Sequence, residues 1–221
     1  MIVLRIRRKP WARPELEACE FCVKEPSVLK GKWRGSFKKD QPLHVELGCG
    51  KGGFISQVSV KNQDINYIAI DIKSEMTAYA RRKTVSEFEK AGISEINNVK
   101  LLVHNIEKID EVFEKSDSID RIYINFCNPW PRGKHKKRRL TYPKKLQWYK
   151  EFLSDTGEIW FKTDDDELFE ESIEYFNETG YSIKYITHDL HSSGFEENTE
   201  TEHEKMFSDM GIKIKFLIAS K

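Results

Sequence analysis

Residues 45–54 read Val45-Glu46-Leu47-Gly48-Cys49-Gly50-Lys51-Gly52-Gly53-Phe54, an apolar strand end that runs into a glycine-rich turn and then a helical pattern. Glycines at 48, 50 and 52 let the backbone turn sharply and let a ligand approach with no Cβ in the way. The next apolar run ends at Asp71, 21 residues after Gly50. At that spacing a carboxylate accepts hydrogen bonds from the hydroxyls of a ribose.

The pattern alternates outward from this turn. Residues 43–48, 67–71, 99–105, 119–126 and 158–163 are rich in β-branched and aromatic residues and read as strands. Helical periodicity fills residues 53–60, 74–90, 143–153 and 167–179. Such β-α-β-α repetition predicts a Rossmann-like α/β fold, a mainly parallel seven-stranded sheet with helices on both faces. Its last two strands, 181–188 and 212–219, fit an antiparallel edge pair, the second following a polar excursion over 192–211. Ligands of such sheets bind outside the carboxyl ends of the strands, where strand order reverses. Residues 1–41 carry no strong pattern and read as a basic arm, with residues 42–221 forming the domain.

The turn admits three readings. A dinucleotide is one, but the spacing is Gly-x-Gly-x-Gly rather than Gly-x-Gly-x-x-Gly, and Glu46 would repel a pyrophosphate. S-adenosylmethionine carries an ammonium, a ribose and no phosphate, so it fits Glu46 and Asp71 better. A turn that holds no ligand is the third reading, opposed by the entropy that clustered glycines lose on folding.

A second informative stretch spans residues 125–141: Asn-Phe-Cys-Asn-Pro-Trp-Pro-Arg-Gly-Lys-His-Lys-Lys-Arg-Arg-Leu-Thr. A flat amide can read a base edge, an indole can cover its face, and neighbouring cations can hold phosphates. A solvated basic loop is the plain alternative. The net charge of +1 hides a segregation: residues 132–150 hold nine Lys or Arg and no acid, and residues 164–178 hold eight acids and no Lys or Arg. Charge so divided can draw a polyanion to one face.

At 221 residues the chain suits one domain that buries roughly 70% of its unfolded surface. Met1-Ile-Val-Leu, running into Arg5, Arg7, Arg8 and Lys9, is too short for a signal sequence, and no apolar run approaches a membrane span. Four cysteines make a poor disulfide framework, so a cytoplasmic protein with reduced thiols is expected. Cys19-x-x-Cys22 reads as a redox pair, half a zinc site, or two ordinary thiols in a mobile arm. Cys49 and Cys127 read as packing. Asp164-Asp165-Asp166 lies at a strand end leading into a helix, where acids favour the N-terminus, and is read as a helix start rather than a metal cluster. No metal is expected.

Taken together, Glu46-Leu47-Gly48-Cys49-Gly50-Lys51-Gly52, the run from Asn128 onward, Phe161-Lys162-Thr163-Asp164 and Thr201-Glu202-His203-Glu204-Lys205-Met206-Phe207 resemble the bacterial tRNA (guanine-N7)-methyltransferase family. Lys9-Pro10-Trp11 and Lys30-Gly31-Lys32-Trp33 are similar as well, so the resemblance covers almost the whole chain in order. It implies a class I methyltransferase fold, S-adenosylmethionine as donor, and as acceptor a guanine in the tRNA variable loop, position 46 in tRNA convention. It further implies that Glu46, Gly48, Gly50 and Gly52 hold the methionine moiety, Asp71 the ribose and Asn105 the adenine side. Asn128, the candidate catalytic residue, would touch donor and guanine. Arg132, Asp164, Thr201, Glu202, His203 and Glu204 would bind the substrate, and Lys134, Lys136, Lys137, Arg138 and Arg139 its phosphates. A homodimer stays an open arrangement.

Two positions depart from the family pattern: Asn128 and Asn105 stand where acids are usual. Guanine N7 has an in-plane lone pair and no proton to lose, so transfer needs in-line positioning more than a base, and Asn128 keeps an acceptor oxygen. Asn128-Pro129-Trp130-Pro131 also approaches the Asn-Pro-Pro-aromatic turn of exocyclic-amine methyltransferases, which is the rival enzyme reading. A non-catalytic tRNA-binding module is the rival of another class.

Overall fold

The structure, a computed structural model, describes residues 8–221. Arg5 and Arg7 of the basic arm lie outside the described residues. The apolar runs form β2 (Leu43–Leu47), β3 (Asn66–Asp71), β4 (Val99–Val103), β5 (Ile119–Asn125), β6 (Leu153–Thr163), β7 (Ser182–Thr187) and β8 (Lys215–Ser220), preceded by a two-residue strand β1 (Cys22–Val23). They pair in the order β1-β4-β3-β2-β5-β6-β8-β7. Pairing is parallel from β1 to β6, and β8 runs antiparallel to both β6 and β7. All five residues of β2 are buried, as a parallel strand covered on both faces requires.

Alternation along β5 feeds two cores. Ile122 and Ile124 pack toward α4 (Pro143–Phe152) and α5 (Asp166–Glu178), with Leu146, Tyr149, Phe152 and Phe169. Tyr123 on the opposite face joins Phe54 and Val58 of α2 (Gly53–Lys61) and Ala78 and Phe88 of α3 (Ser74–Lys90). Gly52 shows why the turn needs glycine: its φ is +80°, and a Cβ would sit 2.6 Å from Ala80 Cα of α3.

One expectation about the sheet is corrected. The sheet has eight strands among the described residues, not seven. Two residues are too few for a periodicity signal, and β1 exists because the edge of β4 offers it hydrogen-bonding partners. The polar excursion over 192–211 contains α6 (Glu202–Asp209), begun by a capping box in which Thr201 and Glu204 exchange backbone hydrogen bonds.

Residues 8–41 are tied to the rest. Trp11, just before α1 (Ala12–Glu17), lies edge-on to Tyr79 at 5.2 Å and under the Arg82 guanidinium at 3.7 Å. Trp33 is wholly buried and donates from Nε1 to Val112 O at 2.8 Å. Asp117 accepts from the backbone of Gly31 and Trp33 at 3.0 and 3.1 Å. Cys19 and Cys22 are buried, which removes the mobile-arm reading of that pair.

Candidate active site

Strand order reverses between β2 and β5, and the turns leaving those two strands bound a divided cleft. One half, of about 510 Å³, is lined by Glu46, Gly48, Gly50, Asn125, Thr201 and His203 among others. The other, of about 390 Å³, is lined by Gly48, Asp71, Asn105, Asn128 and Trp130 among others. Gly48 and Phe126 wall both. Space is open where Cβ atoms of Gly48 and Gly50 would lie, so the glycine turn presents bare backbone to the cleft.

Glu46 is the unusual group in the first half. It is 3% exposed, its Oε1 accepts from Asn125 Nδ2 at 3.3 Å, and its Oε2 is buried with no partner among the described residues. Burial pushes its carboxyl up to about 8, opposed by the Asn125 hydrogen bond. A buried carboxylate left with an open acceptor beside a cavity suits a cationic ligand group. In the other half, Asp71 Oδ2 accepts from Gly50 N at 3.1 Å and Oδ1 from Lys73 N at 2.8 Å. These bonds fix its carboxylate at the end of β3, and burial raises its pKa above the ordinary value. Asn105 Oδ1 accepts from Glu107 N at 3.0 Å, so one lone pair of the oxygen expected for an adenine is already used as a helix cap.

The Asn-Pro-Trp turn forms the far wall. Asn128 is exposed, and its amide has no partner among the described residues. Phe126 and Trp130 hold φ of +52° and +42°, left-handed conformations that cost non-glycine residues of order 1–3 kcal/mol each. Arg139 anchors the turn from beneath, donating from Nε to Pro129 O at 2.6 Å. Nothing in the residue types announced Phe126 as a wall residue, because its role comes from a backbone angle that phenylalanine disfavours.

The basic run divides. Residues Gly133–Arg138 coil into a 3₁₀ turn, which places side chains three apart on one side. Lys136 and Arg139 thereby face α5, where Lys136 pairs with Glu167 at 2.8 Å and with Glu171, and Arg139 pairs with Glu171. Arg139 has no exposed surface, so it is not a phosphate contact: its charge is spent on α5 and on Pro129. Arg132, Lys134, Lys137 and Arg138 remain exposed, with Arg138 lying 5.2 Å over Trp130. Part of the charge that is segregated along the sequence is thus neutralised in space.

The segment before and within α6 closes the first half. Thr201, Glu202 and His203 line it, with His203 stacked on Phe126 at 6.0 Å. Glu202 pairs with Lys83 of α3. Glu204 lies deeper. It is fully buried, bonded to Lys162 Nζ at 2.8 Å, Asn198 Nδ2 at 2.7 Å and Thr201 N at 3.3 Å, which leaves it no face toward a substrate. Lys162 of β6 also donates to Thr199 O at 3.0 Å. Burial pulls its pKa below the ordinary value, against the pull of Glu204. Asp164, at the turn leaving β6, is half-buried and raised for the same reason, whereas Asp165 caps α5 by accepting from Leu168 N at 2.7 Å. Burial also raises the thiols of Cys49 and Cys127, the latter to about 12, as befits packing residues.

Comparison with known proteins shows the family of the chain. A family described as putative methyltransferase matches residues 40–217. A protein of Ruminiclostridium cellulolyticum named tRNA (guanine-N(7)-)-methyltransferase is 60% identical over 216 residues, covering 98% of this chain and 92% of its own length. One of the same name from Clostridium beijerinckii is 58% identical, covering 99% of both. Among solved structures, a 16S rRNA methyltransferase superposes with a TM-score of 0.58 at 12% identity, over 81% of this chain and 87% of that one. An antibiotic-related methyltransferase gives 0.55 at 18%, over 85% and 89%. Those two likenesses speak for the fold alone. Because the sequence identity extends over nearly the full length of both chains, the protein belongs to the tRNA (guanine-N7)-methyltransferase family.

Proposed function

We propose that the protein transfers the methyl group of S-adenosylmethionine to N7 of a guanine in tRNA, in the variable loop at position 46 of the tRNA convention. The observation that carries this reading is the buried Glu46 carboxyl group, whose Oε2 has no partner among the described residues, in a cleft whose other half presents Asp71, with an exposed amide and a basic rim beyond. Bound S-adenosylmethionine supplies an electrophilic methyl on a sulfonium. Glu46 accepts the ammonium, Asp71 the ribose hydroxyls, and Gly48 and Gly50 let the ligand pass against bare backbone. Asn128 faces the guanine edge, and Thr201 and His203 shape the pocket above Phe126. Incubation with bulk tRNA and labelled donor, followed by nucleoside analysis, tests the reading: 7-methylguanosine supports it, and a base methylated on an exocyclic amine favours the rival enzyme class.

Cofactor binding carries two expected outcomes. Replacing Asp71 with Ala removes a charge-assisted acceptor and weakens donor affinity by about 1.5–3 kcal/mol in calorimetry. Unchanged affinity would place the ribose elsewhere. The second outcome concerns pH. With its carboxyl raised to about 8, Glu46 is protonated in the free protein at neutral pH, and an ammonium partner favours the ionised form. Binding then releases a proton, and affinity rises with pH between 6 and 7 by up to about tenfold per unit. Glu46→Gln should flatten that slope, and a slope that persists in the variant removes Glu46 from this role.

For tRNA, the log–log salt slope of binding should fall by about 0.7–0.9 for each of Lys134, Lys137 and Arg138 that is neutralised. The loss should be similar for all tRNAs, because phosphate contacts carry little sequence information. A slope insensitive to all three would make the run a solvated loop.

A further inference from the structure

The pair Cys19 and Cys22 takes no part in the cleft, yet its surroundings are organised. The two lie at the corner between α1 and β1, where Cys22 N donates to Cys19 O at 3.3 Å and closes a tight turn. Both thiols are free and buried. Arg81 of α3 lines the same cavity as Cys19, and its Nε is buried with no hydrogen-bond partner among the described residues. Cys19, Arg81, Lys38 and Lys100 share a cavity of about 630 Å³ that none of the cleft residues lines. Of the pair, Cys19 lines it and Cys22 does not, and the acids Glu20 and Glu95 share its wall with the cations. Lys38 is paired with Glu95, and Arg81 lies 3.8 Å from Glu15, the acid that also holds Arg82.

We propose that Cys19 and Cys22 form a peroxide-reactive dithiol that closes to an intramolecular disulfide. The Cys19 thiolate attacks one oxygen of hydrogen peroxide, the O–O bond breaks, and the departing hydroxide takes up the proton that Cys19 released. The sulfenic acid so formed is attacked by Cys22. An S–S bond forms, the S–O bond breaks, and the second oxygen leaves as water with the proton of Cys22. Two thiols lose two electrons and peroxide gains them.

The surroundings decide which thiol attacks. The Cys22 hydrogen bond, with help from Arg81, lowers Cys19 to about 7, whereas Cys22 is raised by its partner and by burial. At pH 7 such a thiol is about half ionised against roughly 3% for an ordinary one, but its weaker basicity returns much of that gain. The net expectation is alkylation about threefold faster than an ordinary thiol, with a pH midpoint near 7.

The test treats the reduced full chain with a few equivalents of hydrogen peroxide at pH 7, quenches with iodoacetamide and maps the peptides by mass. The expected result is a disulfide confined to Cys19 and Cys22, with Cys49 and Cys127 still alkylated as thiols. In Cys22→Ser, dimedone should label Cys19. Oxidation of Cys49 or Cys127 ahead of the pair would overturn the proposal. So would a pair that closes no faster in the folded protein than in denaturant, because chain proximity alone would then explain it.

Discussion

Replacing Lys162 with Met is expected to destabilise the protein by about 3–5 kcal/mol, the usual cost of leaving a buried charge without its partner. Glu204 is fully buried and pairs with Lys162, itself almost wholly enclosed, while His191 Nε2 lies 3.4 Å from its other oxygen. Surface ion pairs such as Lys38–Glu95 contribute at most about 1 kcal/mol, so a loss of this size distinguishes the buried pair from the rest. It would remove about a fifth or more of the stability typical of a domain. The double variant Lys162→Met with Glu204→Gln should recover part of the loss, because no charge is then stranded. Urea unfolding of the three proteins measures this. Equal stability of Lys162→Met and the parent would mean that water or another group compensates Glu204.

The second large effect concerns turnover. Asn128→Ala should lower the methylation rate by roughly 10²–10³, the order associated with one preorganised electrostatic partner. Asn128 is exposed at the cleft, on a turn held by Arg139 and strained at Phe126 and Trp130, so the backbone that carries its amide is in place before a ligand arrives. Asn128→Asp should keep or raise the rate, because methylation at N7 leaves the ring positively charged and a carboxylate stabilises it. An enzyme acting on an exocyclic amine would respond differently, since it uses a neutral carbonyl to orient the amine. Rates for the three side chains, together with the identity of the product, separate the two. Parent-like activity of Asn128→Ala would remove this side chain from catalysis.

Much of the architecture was legible because it is local. The glycine turn after β2, the acid ending β3 and the alternating periods are statements about neighbours in the chain, and hydrophobic period and turn chemistry specify them directly. The boundaries of α3 and the start of β2 fall where the pattern places them. The cofactor class was legible for the same reason, since Glu46, the glycines and Asp71 lie within one β-α-β unit.

What the sequence could not decide depended on residues far apart meeting in space. Arg139 reads as one more cation in a basic run, but the partners that bury it, Glu167 and Glu171, lie on α5, a separate element. Lys162 reads as a polar residue in an apolar strand, and only the return of residues 198–204 over β6 makes it the hub of a buried network. The strand β1 is too short to carry a period and exists because β4 has a free edge. Composition and spacing therefore determined strands β2 to β8, helices α2 to α5 and the donor chemistry, which follow from short-range pattern. Which charges face solvent and which are consumed inside was decided by the tertiary structure, because burial and Coulomb interaction act through space between elements that have no fixed spacing in the chain.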